Sequence, residues 1–364
     1  MATQTIEAAR RVREPAEPMK PVVDPAAWTG ADLTRRTDWR FALTPAEIAE
    51  LDAAVARVRD RGLDIQNITR ADFPLPTLEP KLAALKAQIV DGLGIGLLGG
   101  VPVERYTTAE AAAAFWGIGL RVGEPVSQNY KGHVLGHVCD LHGATRDGST
   151  SLRAYHTAGE LGYHTDSCDI VVLMCLRQAK SGGGNRLASL VAVYNEMLRR
   201  RPDLVAELIK PWYRDRRNEI PPGKGPYFAL PIFNFAAGYF SASWQNYYTR
   251  SAQRFPELPR FTAAQIEALD MIDTLCDELC YVNKLAPGDV VFLHNHVMAH
   301  ARDEYEDWPE PARKRHLLRL WLATPGGRPL PDAYLDRYVG LKPGQRPAGI
   351  IVDGMKHHAP LEPE

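Results

Sequence analysis

Hydrophobic positions along this 364-residue chain change period several times, and each change marks an element. Ile48, Leu51, Val55 and Val58 recur at the three- and four-residue steps that line one face of a helix. They follow Thr44-Pro45-Ala46-Glu47, in which threonine caps, proline fills the first turn and glutamate reaches back, so a helix is predicted from residue 45. Further helices are predicted over 79–92 and the alanine-rich 107–117, with a short strand at 95–98 between them. From 122 to 190 the pattern becomes strand and loop, with turn signals at Gly123, Gly132, Gly136, Gly143 and Gly148. Within it, Ile170-Val171-Val172-Leu173-Met174-Cys175-Leu176 has the length and apolarity of a buried strand. Helical spacing returns over 192–200 and 202–209, and the aromatic-rich 211–250 reads as β-structure. Ile266, Leu269, Ile272, Leu275 and Leu279 then place a helix over 262–280. Residues 1–40, with prolines and no period, are expected to be a flexible or surface-wrapping arm, and 331–364 a tail, leaving one domain over 41–330.

Composition narrows the partners. A formal net charge of −1 argues against a nucleic-acid surface, and the longest uncharged apolar stretch, 92–103, is too short to span a bilayer. The five cysteines are odd in number and scattered, which predicts buried thiols in a reducing, cytoplasmic compartment. Cys276 and Cys280 share a helix face without the second pair a metal site needs. Gly94-x-Gly96 lacks the third glycine of a dinucleotide loop, and no Lys-Ser/Thr follows the 182–184 glycine cluster, so both are read as turns. A small-molecule partner remains, with self-association left open.

Candidate chemistry gathers at Tyr163-His164-Thr165-Asp166. On a strand, i and i+2 share a face, so an imidazole and a carboxylate would stand side by side, two-thirds of a facial iron site. Downstream, Leu285-Ala286-Pro287-Gly288-Asp289 turns into a strand that leads to His294, His296 and His300, three competitors for the third position. Beyond it, Arg315 and Arg319 share one face of an apolar strand, roughly 13 Å apart at the usual rise. Burying both is costly unless each meets a carboxylate.

In these features the chain resembles the iron(II)- and 2-oxoglutarate-dependent dioxygenases of the taurine dioxygenase (TauD/TfdA-like) family. The resemblance rests on His164-Thr165-Asp166, the Gly182-Gly183 turn ending in Ala188-Ser189, Pro287-Gly288-Asp289 leading through Asn295 to His300-Ala301-Arg302, and Arg315-His316-Leu317-Leu318-Arg319-Leu320-Trp321, together spanning about 85–325. It implies a mainly β fold with flanking helices around a double-stranded β-helix, or jelly roll. It also implies His164, Asp166 and His300 as iron ligands, Arg315 on the far carboxylate of 2-oxoglutarate, and Arg319 toward an acidic group of the substrate. Asn185 stands where the family has Thr or Ser helping the co-substrate, and Tyr155 and His156 are substrate-side candidates. With O2, such a site hydroxylates an unactivated C–H and releases succinate and CO2; desaturation or C–N or C–S cleavage are alternative outcomes. Asp166 fills the position that a halogenase leaves open. The rival readings are a zinc hydrolase and a non-catalytic jelly-roll binding protein.

Overall fold

The computed structural model describes residues 13–141, 154–338, 341 and 345–364. The turn glycines Gly143 and Gly148 and the first 12 residues of the expected arm lie outside the described residues. Two sheets stand at the centre. The larger is built from β1 (Arg40–Ala42), β2 (Ile95–Gly99), β3 (Glu124–Pro125), β4 (Gly136–Val138) and β6 (Ile170–Arg177), together with β9 (Val290–His294) and β11 (His316–Ala323). The smaller holds β5 (Leu161–His164), β7 (Asn185–Ser189), β8 (Tyr281–Asn283) and β10 (Met298–Arg302). Strand order is β1-β2-β9-β6-β11-β3 in the first, with β4 also on β11, and β8-β7-β10-β5 in the second. Every pairing is antiparallel except β1 with β2.

Period-two alternation decides which side chains face which layer. In β6, Val171, Leu173 and Cys175 turn toward the small sheet, whereas Ile170, Val172 and Met174 join the helix-covered core. The two sheets meet face to face: Leu173, Val291 and Leu293 from one and Leu187 and His300 from the other line a common cavity. Helices Glu79–Val90 and Thr108–Val122 cover the outside of the large sheet, and Leu190–Arg200 and Ala263–Leu279 the outside of the small one. The first sits so close that a Cβ on Gly96 would meet Leu85 Cδ1 at 2.3 Å. The capping box read at Thr44/Glu47 forms, and the same device recurs at Thr107/Glu110 and Thr262/Gln265.

Among the described residues helices hold more of the chain than strands do, so "mainly β" gives way to mixed sheets with helices. The 211–250 stretch folds as two hairpins and then a helix, Asn246–Ser251. From Arg13 onward the expected arm is anchored, because Trp28, Leu33 and Trp39 are driven into the core and the Trp28 indole donates to the Leu93 carbonyl at 2.8 Å. The tail is laced to the body as well: Ile350 N–H donates to the Ser127 carbonyl at 2.9 Å and Val134 N–H to the His358 carbonyl at 2.9 Å. Among the described residues, no helix is long and apolar enough to cross a membrane.

Candidate metal centre and its pockets

His164 ends β5 and His300 lies opposite it on β10 as its cross-strand partner, which brings the two rings to 4.1 Å between centroids. Asp166 is not on the strand. The chain leaves β5 after His164, Thr165 N–H bonds the Trp244 carbonyl at 2.7 Å, and the turn that follows, not strand alternation, aims the carboxylate. Asp166 Oδ1 lies 3.7 Å from His164 Nε2, and its Oδ2 3.8 Å from His300 Nε2. One ligand atom from each of the three falls within 4.8 Å of the others, the spacing of atoms around one ion.

The surroundings set orientation and charge. His164 Nδ1 faces the Gly162 carbonyl at 2.9 Å, so that nitrogen carries the proton and Nε2 presents its lone pair. Burial pushes His300 down to about 3, the neighbouring His164 adding to it, which keeps the imidazole neutral. Burial alone would raise Asp166, but Arg319, His300, His164 and the Trp321 N–H outweigh it and hold the carboxyl below the ordinary range. Asn295 Oδ1 accepts the Asp166 backbone N–H at 3.1 Å. The competing histidines are placed elsewhere: His296 Nε2 pairs with Asp169 at 2.9 Å, and His294 is buried with its N–H on the Gly94 carbonyl.

A main pocket of about 380 Å³ opens beside the triad, with Tyr155, Arg217, Gln245, Tyr247, Arg319 and Trp321 among its lining. Arg319 is held by Gln128, whose Oε1 accepts from Nε at 2.7 Å, and by the Tyr155 ring 4.4 Å beneath its guanidinium; its Nη1 reaches to 3.8 Å of Asp166. His156 does not line this pocket and packs edge-on against Tyr155. On the other side of His300 lie two small cavities, one touching His300 and the other Arg315, and Asn185 lines both. Arg315 is buried, and its Nη1 has no hydrogen-bond partner among the described residues.

Residues 59–321 match the family model described as taurine catabolism dioxygenase TauD, TfdA family. The chain belongs to this family. Among TauD/TfdA relatives it is 31% identical to FR-33289 synthase of Streptomyces rubellomurinus (strain ATCC 31215) over 335 residues, 90% of this chain and 98% of the relative. It is also 31% identical to the taurine hydroxylase-like protein SAT17 of Stachybotrys chartarum (strain CBS 109288 / IBT 7711), covering 83% of this chain and 82% of that one. In fold it is similar to an asparagine oxygenase solved with Fe(II), 2S,3S-3-hydroxyasparagine and succinate, at a TM-score of 0.60 and 18% identity over 78% of this chain and 93% of that one. For a TauD/TfdA chain, the motif reading included Asn295 and Trp321 without giving either a role and passed over Gln128; Trp321 and Asn295 bond Asp166, and Gln128 bonds Arg319. Period-two alternation along β11 would have flagged Trp321, since it lies two residues past Arg319; Gln128 and Asn295 carry no such signal.

Proposed function

We propose that the protein is an iron(II)- and 2-oxoglutarate-dependent dioxygenase that hydroxylates an unactivated C–H of a small molecule, built on a double-stranded β-helix formed by the two facing sheets. One observation carries the reading. Two imidazoles and a carboxylate converge between an open pocket on one side and, on the other, cavities ending at a buried arginine that has no carboxylate in ion-pair reach among the described residues. His164, Asp166 and His300 would hold iron(II), a donor set suited to it and leaving positions free for other ligands. Bound there with 2-oxoglutarate and O2, iron supplies the oxidation by which one C–H becomes C–OH while 2-oxoglutarate yields succinate and CO2.

The chain's own groups do the rest. Arg315 neutralises the distal carboxylate of 2-oxoglutarate, and Asn185 donates an amide N–H along the same path. Leu173, Leu187 and Leu293 keep that path dry. On the pocket side Arg319, fixed by Gln128 and Tyr155, faces the substrate, and Trp321 steadies the Asp166 carboxylate. Fe(II), hydroxyasparagine and succinate in the similar asparagine oxygenase structure are what a hydroxylation of this kind leaves behind. A reducing, cytoplasmic setting fits the five free cysteines.

The test is succinate formation by the iron(II)-loaded protein with 2-oxoglutarate and O2, with and without a panel of small acids and amino acids. Succinate that rises with one compound class, matched by a hydroxylated product and lost in Asp166→Ala with the fold retained, is the expected result. No succinate under any condition, or full activity in Asp166→Ala, overturns the proposal.

A further inference from the structure

A second set of metal-type side chains converges where the tail lies on the body. His133 follows Gly132 in the turn before β4, and a Cβ on Gly132 would collide with the Lys356 carbonyl oxygen, so the turn admits the tail's backbone only because that position is bare. His358 N–H donates to the Gly132 carbonyl at 3.1 Å and Val134 N–H to the His358 carbonyl at 2.9 Å. This bridge holds His133 and His358 side by side, with their ring centres 4.6 Å apart. Glu364 closes on both: its Oε1 lies 3.0 Å from His133 Nε2 and 3.2 Å from His358 Nε2.

Hydrogen bonding alone does not account for the arrangement. His133 is 5% exposed, and its Nε2, although close to the carboxylate, makes no hydrogen bond with it. A buried ring nitrogen left in that state is costly. An ion among the three groups would use the lone pairs of both rings and a carboxylate oxygen at once. Nitrogen and oxygen ligands at about 2.0–2.2 Å from zinc stand roughly 3.3–3.6 Å apart in a tetrahedron. The three ligand atoms here already lie within 4.8 Å of one another. Lys131 is near enough for its charge to act on His133 and Glu364, but it makes no ion pair with that carboxylate among the described residues.

We propose that His133, His358 and Glu364 form a second metal site, which takes zinc(II) with water as its fourth ligand and clamps the tail to the body. Two imidazoles and a carboxylate are a donor set that zinc accepts. The His358 and Glu364 side chains are 43% and 50% exposed, which gives the ion a path from solvent and room for the water. The clamp bears on the main pocket. Ile350, in the same tail, donates its N–H to the Ser127 carbonyl at 2.9 Å and lines that pocket together with Gln128. Fixing the tail at His358 therefore steadies part of the pocket wall. The site shares no residue with His164, Asp166 and His300, so the inference stands apart from the oxygenase reading.

The test is titration of the full, chelator-stripped chain with zinc(II) against a chromophoric competitor, in the parent and in Asp166→Ala, His358→Ala and Glu364→Gln. Both tail positions are half-exposed, so these two substitutions leave the core untouched. The parent is expected to take up zinc at two places, one of them lost in Asp166→Ala and the other in His358→Ala. Loss of an outer partner of a ligand costs roughly 10- to 100-fold in affinity, so removing the ligand itself in His358→Ala should cost more than about 100-fold. Hydrogen exchange locates the second ion: zinc should slow the Val134, Ile350 and His358 amides in the parent and in Asp166→Ala, but not in His358→Ala or Glu364→Gln. Zinc uptake that His358→Ala and Glu364→Gln leave unchanged, or tail amides that zinc does not slow, overturns the site. A single zinc that is lost in His358→Ala and kept in Asp166→Ala would uphold it and count against metal binding at the triad.

Discussion

Trp321 donates its indole N–H to Asp166 Oδ2 at 2.8 Å, from the same face of β11 that carries Arg319. The bond ties the one candidate ligand that sits off a strand to a strand of the large sheet that is paired on both sides. A hydrogen bond to a buried carboxylate contributes about 1.5–3 kcal/mol, and loss of such an outer partner weakens a metal by roughly 10- to 100-fold. Trp321→Phe should therefore lower iron(II) affinity by about that factor while the far-ultraviolet circular dichroism is unchanged. Titration with iron(II), or cobalt(II) as a spectroscopic substitute, reads it directly, and unchanged affinity would remove Trp321 from the site.

How much of this was legible beforehand depends on whether a residue's role follows from local spacing. The cap at Thr44, the helices starting near 107 and 262 and the strand at 170–176 are local, and their patterns place them correctly. His164 and His300 could be nominated from motif order, but their pairing is a sheet register that joins residues far apart in the chain. Asp166 shows the limit: the i, i+2 argument assumes a strand that has already ended, and contacts with Trp244 and Asn295 aim the carboxylate instead. The anchoring of the arm was hidden for the same reason, since Trp28 and Trp39 have no period of their own and are buried only by what packs over them.

Arg315 offers a test in which stability and function move in opposite directions. Its guanidinium is buried without a carboxylate partner among the described residues, so Arg315→Leu removes an uncompensated charge as well as the anchor for 2-oxoglutarate. Without co-substrate, the variant should melt no lower than the parent. The rise in melting temperature on adding 2-oxoglutarate should vanish, and the KM for 2-oxoglutarate should climb by about 100-fold, as for loss of a charge-assisted pair. An effect confined to the KM of the primary substrate would exchange the roles of Arg315 and Arg319.

Gly183 bears on the same anchor. It adopts φ +70°, which side chains other than glycine's rarely accept, and a Cβ there would stand 3.2 Å from Arg315 Nε. Gly183→Ala should cost about 1 kcal/mol of stability through the backbone, and it should also displace the guanidinium. A weaker 2-oxoglutarate KM with an unaltered substrate KM is the expected signature. If only the melting temperature falls, the glycine serves the turn and not the anchor.

The last prediction concerns acid. Arg177 Nη2 donates to His316 Nδ1 at 3.1 Å, which leaves His316 Nε2 to donate to His137 Nδ1 at 2.7 Å, and His137 Nε2 in turn to the Pro360 carbonyl at 2.9 Å. This relay of neutral rings stitches the tail to β4 and β11. Burial, with His137 and Arg177 nearby, pushes His316 down to about 3, and burial lowers His137 as well. In the unfolded chain both titrate near the ordinary value of about 6.5, so on acidification the unfolded state takes up protons first. Stability is therefore fully present above about pH 6.5 and falls as the pH drops toward 3, by up to roughly 1.4 kcal/mol per pH unit for each histidine kept neutral. His316→Gln keeps an amide that can receive from Arg177 or donate to His137 but cannot ionise. Measured by denaturant titration between pH 7 and 4, its stability should be lower than the parent's at pH 7 and decline less steeply with acid. Parallel pH profiles for the two proteins would show that the His137–His316 relay carries no acid sensitivity.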